Sequence, residues 1–171
     1  MQKPALFLLL FVLTSFKIKA QHNLEEIAHL IFDKTNALRL EKEKTPFKPL
    51  DSLNRLAQYH SANMVEKGFY SHVDPEGLTP VTRAEKLGIQ PWRRVGNTFI
   101  GIAENIAKVP WFESVLGCGD TRSAEAYADC MVEGWKNSPP HYKNMMGDFI
   151  YLGVGISFNE NKTGFGTQVF R

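Results

Sequence analysis

The chain has 171 residues, of which 43% are hydrophobic and 12% aromatic, and its 20 Lys and Arg against 18 Asp and Glu give a formal net charge of +2. It contains no basic cluster with interleaved aromatic residues, no internal repeat and no low-complexity segment. The composition therefore excludes a typical nucleic-acid binder and predicts one compact domain with a single core.

The N-terminal segment, residues 1–20, is predicted to be a signal peptide. Lys3 supplies a short positive region, Ala5–Phe16 is too short for the ~20 apolar residues of a membrane span, and Ala20 permits cleavage. A retained membrane anchor is the alternative. Cleavage removes three lysines and leaves 17 basic against 18 acidic residues, a formal net charge of −1. We expect residues 21–171 to form a secreted domain without a membrane span, extracellular, periplasmic or on the cell surface.

Four helices are predicted from apolar residues that recur at helical spacing. The first follows a capping box that begins at Asn23. The predicted ranges are Leu24–Lys42, Asp51–Lys67, Leu78–Leu87 and Thr121–Asn137. In the second helix, His60 shares an apolar stripe with Leu53 and Met64, so we expect a buried structural role for it. His22 and His29, near the start of the mature chain, are expected to be solvated.

The C-terminal third changes to a period of two. Ile150–Phe158 alternates apolar and small or polar residues, and after a turn-rich stretch Phe165–Phe170 forms the returning strand of a hairpin. Thr98–Asn105 alternates similarly and is predicted to be a third strand. Gly153 and Gly155 leave one face of the sheet bare, so that a helix or loop can approach it closely. Helices flanking an antiparallel sheet are the expected architecture.

The two cysteines, Cys118 and Cys130, are predicted to form a disulfide. An exported chain meets an oxidising compartment, which favours pairing. The bond would close a short loop and add ~2–3 kcal/mol of stability. A reactive thiol is the alternative.

Two prolines end the fourth helix and fix the direction of a histidine. Pro139 and Pro140 cannot continue a helix, so Asn137 is the predicted last helical residue. His141 follows immediately and leaves the helix end in a defined direction. A titratable side chain held in this way is typical of a functional site.

An ordered set of short motifs carries a family resemblance. Its members are Asn36, Arg39, His60–Ser61, Met64, Ser71–His72, Asp74–Pro75, Gly77, Glu104–Asn105, Trp135, Ser138, His141, Asn144, Gly153–Gly155, Thr167–Gln168 and Phe170. In this order and spacing, the chain resembles a bacterial member of the CAP superfamily (cysteine-rich secretory proteins, antigen 5 and pathogenesis-related proteins, or SCP domain) over roughly Ile27–Phe170. The resemblance implies an α+β fold, a three-layer α-β-α sandwich with a small, mainly antiparallel sheet.

The resemblance also implies a central cavity in which two histidines bind zinc or another divalent metal. His72 matches the first histidine, His141 the second, and Glu104 the acidic residue of the Glu-Asn motif, followed by Asn105. Relatives carry a second acid at the position of Ser138.

Glu133 is a poor substitute for this second acid. It precedes Ser138 by five residues, a rotation of about 140° around the helix. The sequence therefore supports a triad better than a tetrad.

Two classes of function follow. Two histidines and a carboxylate are the ligand set of many zinc sites that activate water, so His72, Glu104 and His141 are also the candidates for catalysis. A serine-type hydrolase would need Ser61, Ser71 or Ser138 to approach a histidine in the fold; the chain has no Gly-x-Ser-x-Gly elbow.

A binding module is the second class, and we favour it over an enzyme. The resemblance implies a lipid or sterol ligand, or an extracellular protein or glycan partner. Trp92, Phe99, Trp111 and Phe112 lie between the third and fourth helices, where they either contact a partner or close the edge of the sandwich.

Overall fold

The computed structural model describes residues 24–171. Over this range it contains helix α1 (24–41), strand β1 (Lys48–Pro49), helices α2 (Asp51–Glu66) and α3 (Pro80–Lys86), strands β2 (Trp92–Val95), β3 (Thr98–Gly101) and β4 (Ala103–Pro110), helices α4 (Ala124–Lys136) and α5 (Pro139–Met145), and strands β5 (Tyr151–Phe158) and β6 (Thr163–Phe170). The predicted signal peptide, the Asn23 cap and His22 lie outside the described residues.

The strands form two sheets. The central sheet has the order β1-β5-β6-β4, in which β5, β6 and β4 are antiparallel and β1 adds a short parallel pairing to β5. Strands β2 and β3 pair with each other in a separate sheet. Helices α2 and α3 cover one face of the central sheet, and α1, α4 and α5 cover the other. This arrangement confirms the predicted α+β fold with three layers.

The bare glycines of β5 bring α2 onto the sheet. A Cβ atom on Gly153 would lie 2.2 Å from the carbonyl carbon of Leu53, and one on Gly155 would lie 2.2 Å from the backbone nitrogen of Gln58. Contacts this close are not sterically possible, so only glycine permits the observed packing. The predicted close approach is confirmed, and the approaching element is α2.

Side chains of α2 also cover the outer edge of β5. The Asn54 Oδ1 accepts from the Val154 amide at 3.1 Å. One helical turn later, the Gln58 Oε1 accepts from the Ile156 amide at 3.0 Å, while its Nε2 donates to the Ile156 carbonyl at 2.9 Å. The polar groups that an edge strand normally exposes are thereby paired beyond the short β1.

Side chains cover the opposite edge of the sheet as well. On β4, the Ile106 carbonyl accepts from the Trp135 indole at 2.9 Å and from the Tyr70 hydroxyl at 3.2 Å. Trp135 is buried, and this hydrogen bond satisfies its indole nitrogen. Side chains of the surrounding layers therefore hydrogen-bond to both edge strands of the central sheet.

Four sequence predictions of secondary structure need correction. The predicted strand Thr98–Asn105 is wrong as one element, because the structure divides it between β3 and β4, which belong to different sheets. A helix after the prolines was not predicted, yet Pro139 and Pro140 open α5, where a missing amide costs no helical hydrogen bond. The third helix begins at Pro80 rather than Leu78, because Thr79 caps it. The fourth begins at Ala124 rather than Thr121, because Ser123 caps it.

The predicted disulfide between Cys118 and Cys130 is confirmed, with the two Cα atoms 5.3 Å apart. It joins the loop after β4 to helix α4. Within residues 24–171, no helix is long and apolar enough to cross a membrane.

Candidate functional site

Glu104 is the centre of the candidate site. It is the second residue of β4, faces the α2 and α3 layer, and its side chain is 1% exposed. Its Oε2 accepts from Arg83 Nη1 at 2.7 Å, and its Oε1 accepts from His72 Nδ1 at 2.9 Å. The sequence correctly indicated an inward-facing carboxylate. The arginine that neutralises it was missed.

Arg83 connects three elements around this carboxylate. It lies on α3 and is fully buried. Besides Glu104, it donates from Nη2 to the His72 carbonyl at 2.7 Å. A buried charge must be paired and hydrogen-bonded, and the Nη1 and Nη2 groups of Arg83 meet that requirement, while its buried Nε has no partner among the described residues. Arg83 therefore fixes both the carboxylate and the backbone that carries His72.

His72 presents one ring nitrogen to the site. Its side chain is 46% exposed, and its Nδ1 donates to Glu104. With the proton on Nδ1, the neutral ring carries a lone pair on Nε2. A carboxylate that holds one ring nitrogen in this way is the usual partner of a metal-binding histidine, because it fixes the tautomer and the ring orientation.

His141 lies on α5 close enough to His72 for their charges to interact. Burial lowers the pKa of the His141 ring, and the neighbouring His72 lowers it further. The Asn105 Nδ2 donates to the His141 carbonyl at 3.1 Å, and the Asn144 Nδ2 donates to the Asn105 Oδ1 at 2.9 Å. Asn105 thus ties α5 to β4. Ser138 precedes α5, and its side chain makes no capping hydrogen bond.

The structure does not bring the predicted His72–Glu104–His141 triad together as a metal-ligand group. No group of three or more His, Cys, Asp or Glu that could hold a metal ion occurs in residues 24–171. Both oxygens of Glu104 are already engaged, so it lies behind His72 rather than beside a metal. If a metal binds here, His72 and His141 are the residues that would hold it.

Glu133 does not replace the second acid. Its carboxylate is exposed and pairs with Lys136 Nζ at 2.8 Å. It lines a surface groove with Leu38 and Glu41 of α1, away from Glu104. Glu133 therefore does not supply the acidic group that relatives carry at the position of Ser138.

The remaining histidines of the described chain have structural or solvated roles, as predicted. His60 is buried, and its Nε2 lies 3.0 Å from the Ser71 carbonyl and 3.6 Å from Glu104 Oε1, while its Nδ1 has no hydrogen-bond partner among the described residues. Burial lowers the pKa of the His60 ring, which favours the neutral form. His29 is exposed on α1, 3.5 Å from Asp33.

The serines do not activate one another or the histidines. The Ser61 hydroxyl is buried, donates to the Gly155 carbonyl at 3.0 Å and contacts the Thr167 hydroxyl at 2.8 Å. The Ser71 hydroxyl accepts from the Val73 amide. Across residues 24–171, no serine hydroxyl hydrogen-bonds to a histidine ring.

A second candidate site is an open groove of about 1060 Å³ between α1 and α2. Its apolar lining is Leu24, Ala28, Phe32, Pro49, Ala62 and Val154, and its polar lining is Glu25, His29, Asn54, Arg55, Gln58 and Tyr59. Arg55 is exposed, and none of its charged neighbours in the described chain lies within ion-pair distance. The groove thus combines an apolar wall with an available cation.

The four aromatic residues between the third and fourth helices lie elsewhere. Trp111 packs against Tyr127 and Phe158, with ring centroids 5.4 and 5.8 Å apart, and so closes the edge of the sandwich. Phe112 is exposed on the loop that follows. Trp92 and Phe99 lie on the separate β2–β3 hairpin.

Comparison with known proteins agrees with this architecture. The family model described as CAP, cysteine-rich secretory protein family, matches residues 32–170. The chain belongs to the CAP family. The Bacillus subtilis (strain 168) protein YkwD is 29% identical over 129 residues, which cover 73% of this chain and 40% of YkwD. This CAP chain therefore spans less than half the length of that curated relative.

Two solved structures share the fold. One is an extracellular protein of Bacillus anthracis that contains an SCP domain, with 25% identity and a TM-score of 0.61 over 88% of this CAP chain and 40% of the other. The other is an outer surface protein from Borrelia burgdorferi, with 18% identity and a TM-score of 0.65 over 85% and 91% of the respective chains. At 18% identity, the latter likeness concerns the fold alone.

Proposed function

We propose that this CAP domain is an extracellular binding module that holds a long-chain carboxylate in the groove between α1 and α2. The observation that carries the proposal is the combination of an apolar wall with the guanidinium of Arg55, which has no ion-pair partner within residues 24–171. An extracellular location is supported by the related B. anthracis protein, which is described as extracellular.

The chemistry of the groove favours this ligand class. Its volume of about 1060 Å³ lies at the upper end of small-molecule sites, which suits an extended chain. Each methylene that leaves water for the wall formed by Ala28, Phe32 and Val154 contributes ~0.8 kcal/mol. The planar guanidinium of Arg55 can donate two parallel hydrogen bonds to a carboxylate.

The proposal is tested by titrating palmitate into the chain that begins at Gln21, with calorimetric detection. Ala28→Trp fills the groove from α1 and should abolish binding. Ala37→Trp, on the opposite face of the same helix, is the matched control and should bind as the wild type does. Arg55→Gln should weaken palmitate roughly 10-fold and leave hexadecanol unchanged, because only the acid uses the charge.

Two results would overturn ligand binding in this groove. One is a wild-type chain that does not bind palmitate, or an Ala28→Trp variant that binds it normally. The other is self-association that Ala28→Trp abolishes, which would assign the groove to a second copy of the chain.

A metal centre at His72 and His141 is the second candidate, and the Glu104–His72 hydrogen bond favours it. When bound, zinc would polarise a carbonyl or acidify water, which is the basis of metal-dependent hydrolysis. The serine-type alternative has no hydroxyl–imidazole contact among the described residues to support it.

Zinc binding distinguishes this candidate from a purely structural role for the histidines. His72→Ala and His141→Ala should each lose zinc while the chain remains folded, and His29→Ala, an exposed control, should retain it. A wild type that takes up no zinc, or a His141→Ala variant with wild-type affinity, would refute the metal centre.

A further inference from the structure

The β2–β3 hairpin, residues 92–101, stands outside the central sheet. Its register pairs Trp92 with Gly101 and Arg94 with Phe99. Because paired residues share a face and faces alternate along a strand, Trp92, Arg94 and Phe99 lie on one face of the hairpin. Val95 lies on the other.

Both faces of the hairpin expose apolar side chains. Phe99 is 68% exposed, Trp92 44% and Val95 39%. The Trp92 ring is held in place, because a Cβ on the opposite residue, Gly101, would lie only 2.8 Å from it. Large apolar groups that are ordered and yet exposed indicate an interaction surface.

The charge of the hairpin is positive and uncompensated. Arg93 donates to the Asp148 carbonyl at 2.6 Å, and Arg94 donates to the Gly96 carbonyl at 3.0 Å. Neither arginine forms an ion pair with a carboxylate of residues 24–171. Arg94 is exposed, whereas Arg93 is half-buried and its Nε is buried without a hydrogen-bond partner. Basic and aromatic groups thus share one small protrusion.

We propose that this hairpin docks the protein on an anionic lipid surface, with Trp92 and Phe99 entering the headgroup region and the exposed guanidinium of Arg94 meeting lipid phosphates. Aromatic side chains favour the membrane interface, and arginine keeps its charged end at the phosphate level while its stem lies in apolar surroundings. The mature chain has a net charge of about −1, so the attraction is local to the hairpin.

A lipid surface suits the hairpin better than a glycan or a folded protein. A sugar-binding face pairs an aromatic ring with amide and carboxylate side chains, but the Trp92 face offers only a guanidinium, and Val95 exposes apolar surface on the reverse side. A hairpin with apolar side chains on both faces can enter the headgroup region of a membrane, whereas a sugar ring would cover only one face. A standard protein interface uses about 20–30 residues on each side, whereas the hairpin, residues 92–101, has ten.

The proposal does not rest on the palmitate groove. It is tested by sedimenting the chain that begins at Gln21 with vesicles of phosphatidylcholine alone or with about 30% phosphatidylglycerol, a composition that supplies surface charge. We expect binding to the anionic vesicles that weakens with salt. Arg94→Gln should weaken it roughly 5-fold, at the usual contribution of about 1 kcal/mol for a basic residue near an anionic surface.

Tryptophan emission reports insertion directly. Trp135 is buried and Trp111 packs against Tyr127, so brominated lipids should quench chiefly Trp92, and Trp92→Phe should abolish most of the quenching. Phe99→Ser should weaken vesicle binding at least 10-fold. Phe112→Ser, which changes a phenylalanine of similar exposure (60% against 68%) off the hairpin, is the matched control and should bind normally.

Several outcomes would overturn lipid docking. They are a wild type that stays in the supernatant with anionic vesicles, hairpin variants that sediment as the wild type does, and quenching that persists in Trp92→Phe. Retention on an anionic polysaccharide without vesicle binding would assign the hairpin to glycans instead. Ala28→Trp should leave vesicle binding intact, so failure of the groove proposal and failure of this one are distinguishable.

Discussion

The β2–β3 hairpin and the central sheet adjoin in the chain but differ in what surrounds them. Gly101 ends the hairpin, and Glu104 is already buried in the sheet. Most residues of β6 are buried between two helical layers, whereas the hairpin exposes Trp92, Val95 and Phe99. Strand pairing is present in both.

The difference shows that the helical layers, rather than strand pairing, determine burial in this domain. A substitution in the central sheet must remain compatible with packing against α2 on one face and against α1 and α4 on the other. Within the described chain the hairpin has no such covering, so it can vary without disturbing the core and is free to serve recognition. The following predictions test this contrast.

The largest expected effect comes from breaking the buried pair at the start of β4. Arg83→Met leaves Glu104 without its cation and should reduce the free energy of unfolding at pH 7 by about 3–5 kcal/mol, measured by urea denaturation. The double variant with Glu104→Gln should recover part of the loss. A single-variant loss below about 1 kcal/mol would show that the pair is not what stabilises this end of the sheet.

The second prediction concerns the contact between β5 and α2. Gly155→Ala places a methyl group against the α2 backbone and should cost about 2–3 kcal/mol of unfolding free energy. Gly134→Ala is the control, because a Cβ there meets open space on α4. It should stabilise the chain by up to about 1 kcal/mol. Equal effects of the two changes would contradict the close packing.

The third prediction is a pH dependence from His60, which lies on α2 beside Glu104. Because burial lowers its pKa below the ordinary value near 6.5, the unfolded chain binds the proton more readily. The contribution of His60 to the free energy of unfolding should therefore be at its maximum above about pH 6.5. It should decrease as the pH falls, by at most about 1.4 kcal/mol per pH unit.

The His60→Gln variant isolates this contribution. It should show a shallower decrease in unfolding free energy between about pH 6.5 and pH 5 than the wild type does. His141 contributes in the same direction, since its pKa is also lowered. An unchanged slope in His60→Gln would assign the dependence to other groups.

The smallest effect is expected in the hairpin. Phe99→Ser should change the free energy of unfolding by less than about 0.5 kcal/mol, because the ring is already largely in water. Phe165→Ala, a buried phenylalanine of β6, should cost several times as much in the same urea titration. A hairpin variant as damaging as the β6 variant would remove the contrast between the two regions.

The sequence predicted the elements in which local pattern and tertiary environment agree. The stripe of α2 and the alternation of β5 and β6 each match one buried face, so periodicity was sufficient. The prediction of a single strand over Thr98–Asn105 was wrong because alternation indicates extended structure but does not identify the strand with which each part pairs. Helix α5 was missed because Pro139 and Pro140 end one helix and also begin the next.

The candidate site was predicted in part for a related reason. The parity of β4 pointed Glu104 inward, and the family resemblance selected His72 and His141. Arg83 carried no signal, since an arginine on a short helix is ordinarily solvated. Its burial depends on a carboxylate 21 residues later in the chain, and only the fold brings the two together.

The covering of β5 by Asn54 and Gln58 has a kinetic consequence. The Val154 and Ile156 amides hydrogen-bond to side chains of α2 rather than to another strand, so each departure of α2 from the sheet releases them. Their hydrogen exchange should therefore measure how often this helix lifts away. The same opening would leave β5 ready to pair with a second chain, so the undocking of α2 is the step at which this protein becomes prone to aggregate.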